Sequence, residues 1–333
     1  MRNSLSERMT RWLSWRVAKS KRRAAAAVYA KIYRDASSNI SDTVLIAGSG
    51  RSGTTWLAEM VSEQLDARLL FEPFNTRLVP EYSEFNYFQY MRPEERDDAL
   101  EQFVKRLFEG KIRNAWIDRR VSRVVSMRRV AKTIRANLFL GWLHMKFPQV
   151  PQMLIIRHPC AVVASRIKQE WATDGDLQPM LSQRGLVRDY LADKMDIIRR
   201  ASTPEEKHAI VWCIHNIVPL RQVGATNLPV VFYENLSLNP IDELARIFAL
   251  ANLPLDREKV KSTQRPSGTS TKSSAIRTGE DVVSAWRNRI TSAQTKRILA
   301  VVEAFGLDYL YGDTDTPIGN AELLATRTSR SSI

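Results

Sequence analysis

The stretch Gly48-Ser-Gly-Arg-Ser-Gly-Thr-Thr55 is the first point where residue types and spacing suggest chemistry. It follows the apolar run Thr43-Val-Leu-Ile-Ala47 and precedes a helical pattern from Trp56 to about Leu65. A glycine-rich turn between a buried strand and a helix lets backbone N–H groups converge on an anion, and the helix dipole adds positive potential. The spacing Gly48-x4-Gly53 matches the start of a Walker A loop, but Thr54 stands where that loop needs lysine. The basic group, Arg51, lies inside the loop instead. The loop is therefore expected to hold a 5′-phosphate-type anion through Gly50, Arg51, Ser52, Gly53, Thr54 and Thr55, and not to hydrolyse ATP.

A second anion site is expected in Ile156-Arg-His-Pro-Cys-Ala-Val-Val-Ala-Ser-Arg166. An arginine at the carboxyl end of a strand and a serine eight residues later can meet on one anion, because the turn between them starts a helix. Arg157 and Ser165 are that pair.

Together these motifs resemble the sulfotransferases that use 3′-phosphoadenosine-5′-phosphosulfate (PAPS). Gly50-Arg-Ser-Gly-Thr-Thr-Trp56 is similar to the family's 5′-phosphosulfate loop, which implies that Arg51 contacts the phosphosulfate bridge and Trp56 stacks on adenine. Arg157 and Ser165 match the 3′-phosphate motif. Phe232-Tyr-Glu-Asn-Leu-Ser-Leu-Asn-Pro240 resembles a segment whose tyrosine, here Tyr233, lies by the adenine. Arg277-Thr-Gly279, followed by Trp286-Arg287, resembles a late loop that closes on the 3′-phosphate, with Thr278 where a lysine is common. The resemblance covers roughly residues 43–310 and favours the bacterial, carbohydrate-type branch. It implies a P-loop NTPase-like three-layer α/β sandwich, with PAPS as donor co-substrate and no metal.

Sulfuryl transfer to a hydroxyl is an in-line displacement, so the protein must align the acceptor and neutralise charge on the leaving phosphate. Arg51 and the loop N–H groups can do the second. A base must take the acceptor's proton. His144, His208 and His215 fall in helical stretches and His158 in the 3′-phosphate turn, so all four read as structural. Leu70-Phe-Glu-Pro-Phe74 resembles the carbohydrate enzymes' "FEP", which implies Glu72 as base. Lys132, in Val130-Ala-Lys-Thr-Ile-Arg135, resembles a lysine lining the cleft in bacterial members.

The elements that must position these residues are short apolar strands alternating with helices, the pattern of a parallel sheet covered on both faces. Strands are expected at 43–47, 153–156 and 229–233, with helices at 161–168 and about 203–223. The latter opens on a Thr203-Pro-Glu-Glu206 capping box. Asn239-Pro240 caps a further helix, and the serine-rich stretch 267–274 reads as a lid. The expected division is a basic helix and link at 1–40, a sulfotransferase domain at 41–312, and a polar tail at 313–333.

The 333 residues carry a net charge of +14, with 44% hydrophobic residues. Residues 1–35 hold +8 and residues 105–135 hold +9, leaving −3 for the rest, so two basic segments sit on a near-neutral body. No apolar run nears the ~18 residues that span a bilayer. The opening residues lack the apolar stretch of a secretory signal. Two cysteines make neither a disulfide framework nor a four-cysteine zinc site. The expected location is the cytoplasm, with residues 1–35, a tryptophan-bearing basic helix, as a peripheral contact to an anionic membrane. The run at 105–135 is either an anionic-acceptor surface or a solvated face, and it lacks the interleaved aromatics of a specific single-strand nucleic-acid binder. Competing readings are a P-loop small-molecule kinase and a non-enzymatic anionic-surface binder.

Overall fold

The computed structural model describes residues 33–121, 123–223, 228–262 and 281–319. Most of the expected N-terminal helix, Arg277, Gly279, the 267–274 stretch and the tail beyond 319 lie outside the described residues. Among those described, no helix is long and apolar enough to cross a membrane.

Five parallel strands form the central sheet: β1 (Thr43–Gly48), β2 (Arg68–Phe71), β3 (Arg129–Thr133), β4 (Gln152–Ile156) and β5 (Val230–Phe232). Their spatial order is β2-β3-β1-β4-β5. Thr43 pairs with Arg129 and Ala47 with Thr133 on one side of β1, while Leu45 meets Gln152 and Gly48 meets Ile155 on the other. The strand residues are buried throughout, which is why they read as continuous apolar runs. Successive side chains point to opposite faces. Thus Leu45 and Ala47 join the larger core, and Val44 and Ile46 the smaller one.

The larger core lies on the face of the sheet where the long helix Pro204–Val223 packs, buried along most of its length. The smaller core gathers α1 (Thr54–Gln64) and the helix Pro240–Leu250 through Leu57, Met60, Val61, Leu244 and Phe248. Each fully buried leucine or valine of this kind contributes about 1.5–3 kcal/mol relative to exposure. The architecture is therefore helix, parallel sheet, helix, as expected of a P-loop-like three-layer sandwich.

Several local expectations need adjustment. Helix α1 begins at Thr54, two residues early, because Gly53 takes φ +90 and ends the loop there. Tyr233 is not in β5 but opens α2 (Tyr233–Leu238), so the strand stops at Phe232. Asn239 precedes the helix Pro240–Leu250 but makes no side-chain cap. The box at Thr203 does form, with the Thr203 N–H donating to Glu206 Oε2 at 2.9 Å. Residues 33–35 are not helical. Arg34–Asp35 pairs in parallel with Val125–Ser126 in a separate two-stranded ladder. The start of the supposed tail is docked too, since Arg287 Nε donates to Asp315 Oδ1 at 2.8 Å and the Ile318 N–H to the Leu310 carbonyl at 2.9 Å.

The basic run at 105–135 is dispersed rather than presented as one surface. Arg129 is fully buried and donates to Thr43 Oγ1 at 2.9 Å. Arg120 pairs with Glu59 and Arg123 with Asp66. Lys132 and Arg135 point into a cleft.

Candidate active site

Each of the five strands ends at this cleft. Gly50, Glu72, Ile134, Arg157 and Tyr233, from the segments just beyond β1 to β5, all line one cavity of about 480 Å³. Ligands of open parallel sheets bind at the strands' carboxyl ends, where connections leave in opposite directions, and β1 lies between β3 and β4 at that switch.

At one end the glycine loop meets the turn after β4. Arg51 Nε donates to Ser165 Oγ at 3.0 Å, and Arg157 Nη1 donates to the Arg51 carbonyl at 3.3 Å. The Arg157 guanidinium lies 4.0 Å from the centroid of the Tyr233 ring, which in turn meets Trp56 edge-on at 5.6 Å. Trp212 Nε1 donates to the Arg157 carbonyl at 2.9 Å and fixes the start of the turn. His158 then caps α3 (Pro159–Lys168), accepting from the Cys160 N–H at Nδ1, while Nε2 lies 3.1 Å from the Gly312 carbonyl. Trp286 stacks on the His158 ring at 4.7 Å.

This end is rich in unmatched positive charge. Burial, then the charges of Arg157 and Arg166, lowers the Arg51 pKa to about 10. Among the described residues neither Arg51 nor Arg157 forms an ion pair with a carboxylate. Ser52 Oγ, Trp56 Nε1 and Arg157 Nε are buried without hydrogen-bond partners among the described residues. Donors and cations left unpaired in this way fit a polyanionic nucleotide. Arg51 itself adopts φ +79, a left-handed conformation costly for a side-chain-bearing residue and typical of functional loops.

At the other end the buried cations hold carboxylate partners, three cations sharing two carboxylates. Glu72 also takes a positive φ, +49, as the chain leaves β2. Its carboxylate contacts Lys132 Nζ and accepts from Arg135 Nη1 at 2.7 Å and the Ile134 N–H at 3.2 Å. Burial pushes the Glu72 pKa up, but Lys132, Arg135 and these hydrogen bonds outweigh it and hold it below the usual carboxylate range. Lys132 faces Phe71 in register, and burial pulls its own pKa down against the pull of Glu72. Arg135 also donates to the Tyr87 hydroxyl. Deeper in, Arg166 pairs with Asp176 at 3.2 Å and lies over Trp171 at 4.9 Å. Phe71, Tyr87, Phe88, Trp116 and Trp171 supply aromatic walls.

Of the residues singled out from sequence, Gly50, Arg51, Gly53, Thr54, Thr55, Trp56, Glu72, Lys132, Arg157, Ser165 and Tyr233 line this cavity. Ser52 does not; its N–H closes a turn on the Ser49 carbonyl at 3.1 Å and its side chain faces inward. Arg135, Asp176, Tyr87 and Trp171 escaped notice, because nothing in their local spacing sets them apart from surface residues. His215, read as structural, is fully buried yet lines the cleft.

Comparison with known proteins gives a consistent picture. Nodulation protein NoeE of Sinorhizobium fredii is 24% identical over 209 residues, covering 61% of this chain, and the chain spans about half of that relative, 48%. The solved sulfotransferase domain from the curacin biosynthetic pathway is 15% identical, with 86% of this chain and 96% of that one covered at a TM-score of 0.38. The sulfotransferase domain of the Synechococcus olefin synthase is 15% identical, with 79% and 94% covered at 0.42. Retinol dehydratase solved with retinol and PAP is 17% identical, with 83% of each chain covered at 0.39. The sequence model of the sulfotransferase family matches residues 43–257, from the first residue of β1 to beyond the helix that follows β5, so the chain belongs to the sulfotransferase family.

Proposed function

We propose that this protein moves a sulfuryl group from PAPS to a hydroxyl of a carbohydrate or glycolipid acceptor. The observation that carries the donor assignment is the Arg51, Ser165 and Arg157 cluster beside a glycine loop, a set of cations and donors with no carboxylate partner among the described residues. PAPS would supply the sulfuryl group and a 5′-phosphate leaving group. Arg51 and the N–H groups around Gly53 and Thr54 would bear on the bridging oxygen where charge builds during transfer. Arg157 and Ser165 would hold the 3′-phosphate, and Trp56 with Tyr233 would flank the base.

Support for a carbohydrate acceptor comes from the ion-paired end of the cleft. Its aromatic walls suit the apolar faces of sugar rings, and its ion-paired side chains offer directed hydrogen-bonding groups. Glu72 orients Lys132 and Arg135 towards the transfer point.

Calorimetric titration with 3′,5′-adenosine bisphosphate (PAP), beside Mg²⁺-ATP, tests the donor assignment on wild type and Arg157→Ala. PAP should bind alone, and its affinity should fall about 100-fold in the variant, as expected for losing a charge-assisted phosphate contact. Preference for Mg²⁺-ATP would favour the kinase reading, and no nucleotide binding would refute both.

A further inference from the structure

His215 projects from the buried helix Pro204–Val223 into the cleft, and no role above uses it. Its Nδ1 lies 3.2 Å from Ser49 Oγ, within the glycine loop. Its Nε2 is buried and has no hydrogen-bond partner among the described residues. Phe88, on the acceptor wall, packs against the ring at 4.9 Å between centroids. A polar atom left unpaired in a protein interior is costly, and a leucine would fill the same helix position without that cost. The exception is a site where a ligand completes the bond.

The charged groups facing the ring are Arg166, paired with Asp176 from the next helix, and Arg135, paired with Glu72. Burial, then these two cations, keeps the imidazole neutral. A neutral ring has one N–H. If Ser49 Oγ accepts it from Nδ1, Nε2 offers a lone pair to the cleft. Glu72, by contrast, already accepts from Lys132, Arg135 and the Ile134 N–H.

Resting on the sulfotransferase reading above, we propose that His215 Nε2, oriented by Ser49, accepts the proton of the acceptor hydroxyl. In this step the sulfur–oxygen bond to the 5′-phosphate breaks as one to the acceptor oxygen forms. The acceptor's proton passes to Nε2 and the bond's electron pair stays on the departing phosphate. The hydroxyl proton turns strongly acidic as the new bond forms, so an unpartnered lone pair at the cleft wall matters more than high basicity.

Water serves as the acceptor in the test. Sulfate release from PAPS is followed from pH 4 to 8 for wild type, His215→Gln and Ser49→Ala, with PAP affinity and thermal melting measured on each. Wild type should release sulfate, slowing on the acid side as the imidazole protonates. His215→Gln should be about 100-fold slower and lose that acid limb, with PAP affinity within about threefold of wild type. Ser49→Ala should be about tenfold slower with a displaced limb. Retention of rate and limb in His215→Gln overturns the proposal. So does a wild type that binds PAP but releases no sulfate. If His215→Gln fails to fold, an unchanged rate and limb in Ser49→Ala overturns it. A wild type that does not bind PAP refutes the donor reading itself, a separately visible result.

Discussion

The two ends of the cleft handle charge in opposite ways. At the proposed donor end Arg51 and Arg157 converge without carboxylate partners among the described residues, held by a serine hydroxyl, a carbonyl and an aromatic face. At the proposed acceptor end the buried cations Lys132 and Arg135 share Glu72, and Arg166 pairs with Asp176. Half-buried cations without a counter-charge suit an incoming anion, and cations that already hold carboxylate partners suit an acceptor recognised by hydrogen bonds. The charge state of each wall thus indicates the charge of what it receives.

Three changes would break or sharpen this contrast. The largest effect should follow Glu72→Gln, which strips the counter-charge from two buried cations and should cost about 3–5 kcal/mol of stability in urea unfolding. PAP affinity should stay within about threefold of wild type, and a collapse of PAP binding instead would erase the division between the ends. Next, Arg51→Ala should weaken PAP by about 100-fold, near 2.7 kcal/mol, without loss of melting temperature, because among the described residues the arginine has no carboxylate to orphan. A large drop in melting temperature with intact PAP binding would make Arg51 a structural residue.

The smallest effect concerns the support beneath the donor turn. Burial holds the folded-state pKa of His158 at about 4, against 6.5 ordinarily. The unfolded chain therefore binds the proton more readily, and stability is lost as pH falls from about 6.5 towards 4, reaching about 2 kcal/mol at pH 5. His158→Asn, which can still cap the helix, should flatten that part of the melting-temperature profile. An unchanged slope would assign the acid sensitivity to other groups.

The donor end was legible in the chain and the acceptor end only in part. Its loop and turn are contiguous runs, Gly48 to Trp56 and Arg157 to Ser165, in which a strand end, a glycine conformation and a helix start jointly dictate where donors point. Glu72 and Lys132 were visible through their local motifs. Arg135 and Asp176 were not, because they join the site through partners 63 residues away and on another helix respectively. The histidines show the same limit: His158 lies in the turn after β4, where its neighbours in the chain put it, while helical periodicity alone hid that His215 faces Ser49 from 166 residues away.

Local chemistry by itself determined the strand, loop and helix units, the parallel layered fold, and the glycine loop and the arginine turn after β4. Those follow from short-range backbone geometry and burial pattern, which a dozen consecutive residues suffice to specify. Tertiary structure alone decided that five strand ends share one cavity, that the basic run at 105–135 is split among core, surface and cleft, and which cations are paired. Ion pairing and desolvation depend on distances between residues remote in the chain, and those distances exist only once the sheet order brings the strand ends together.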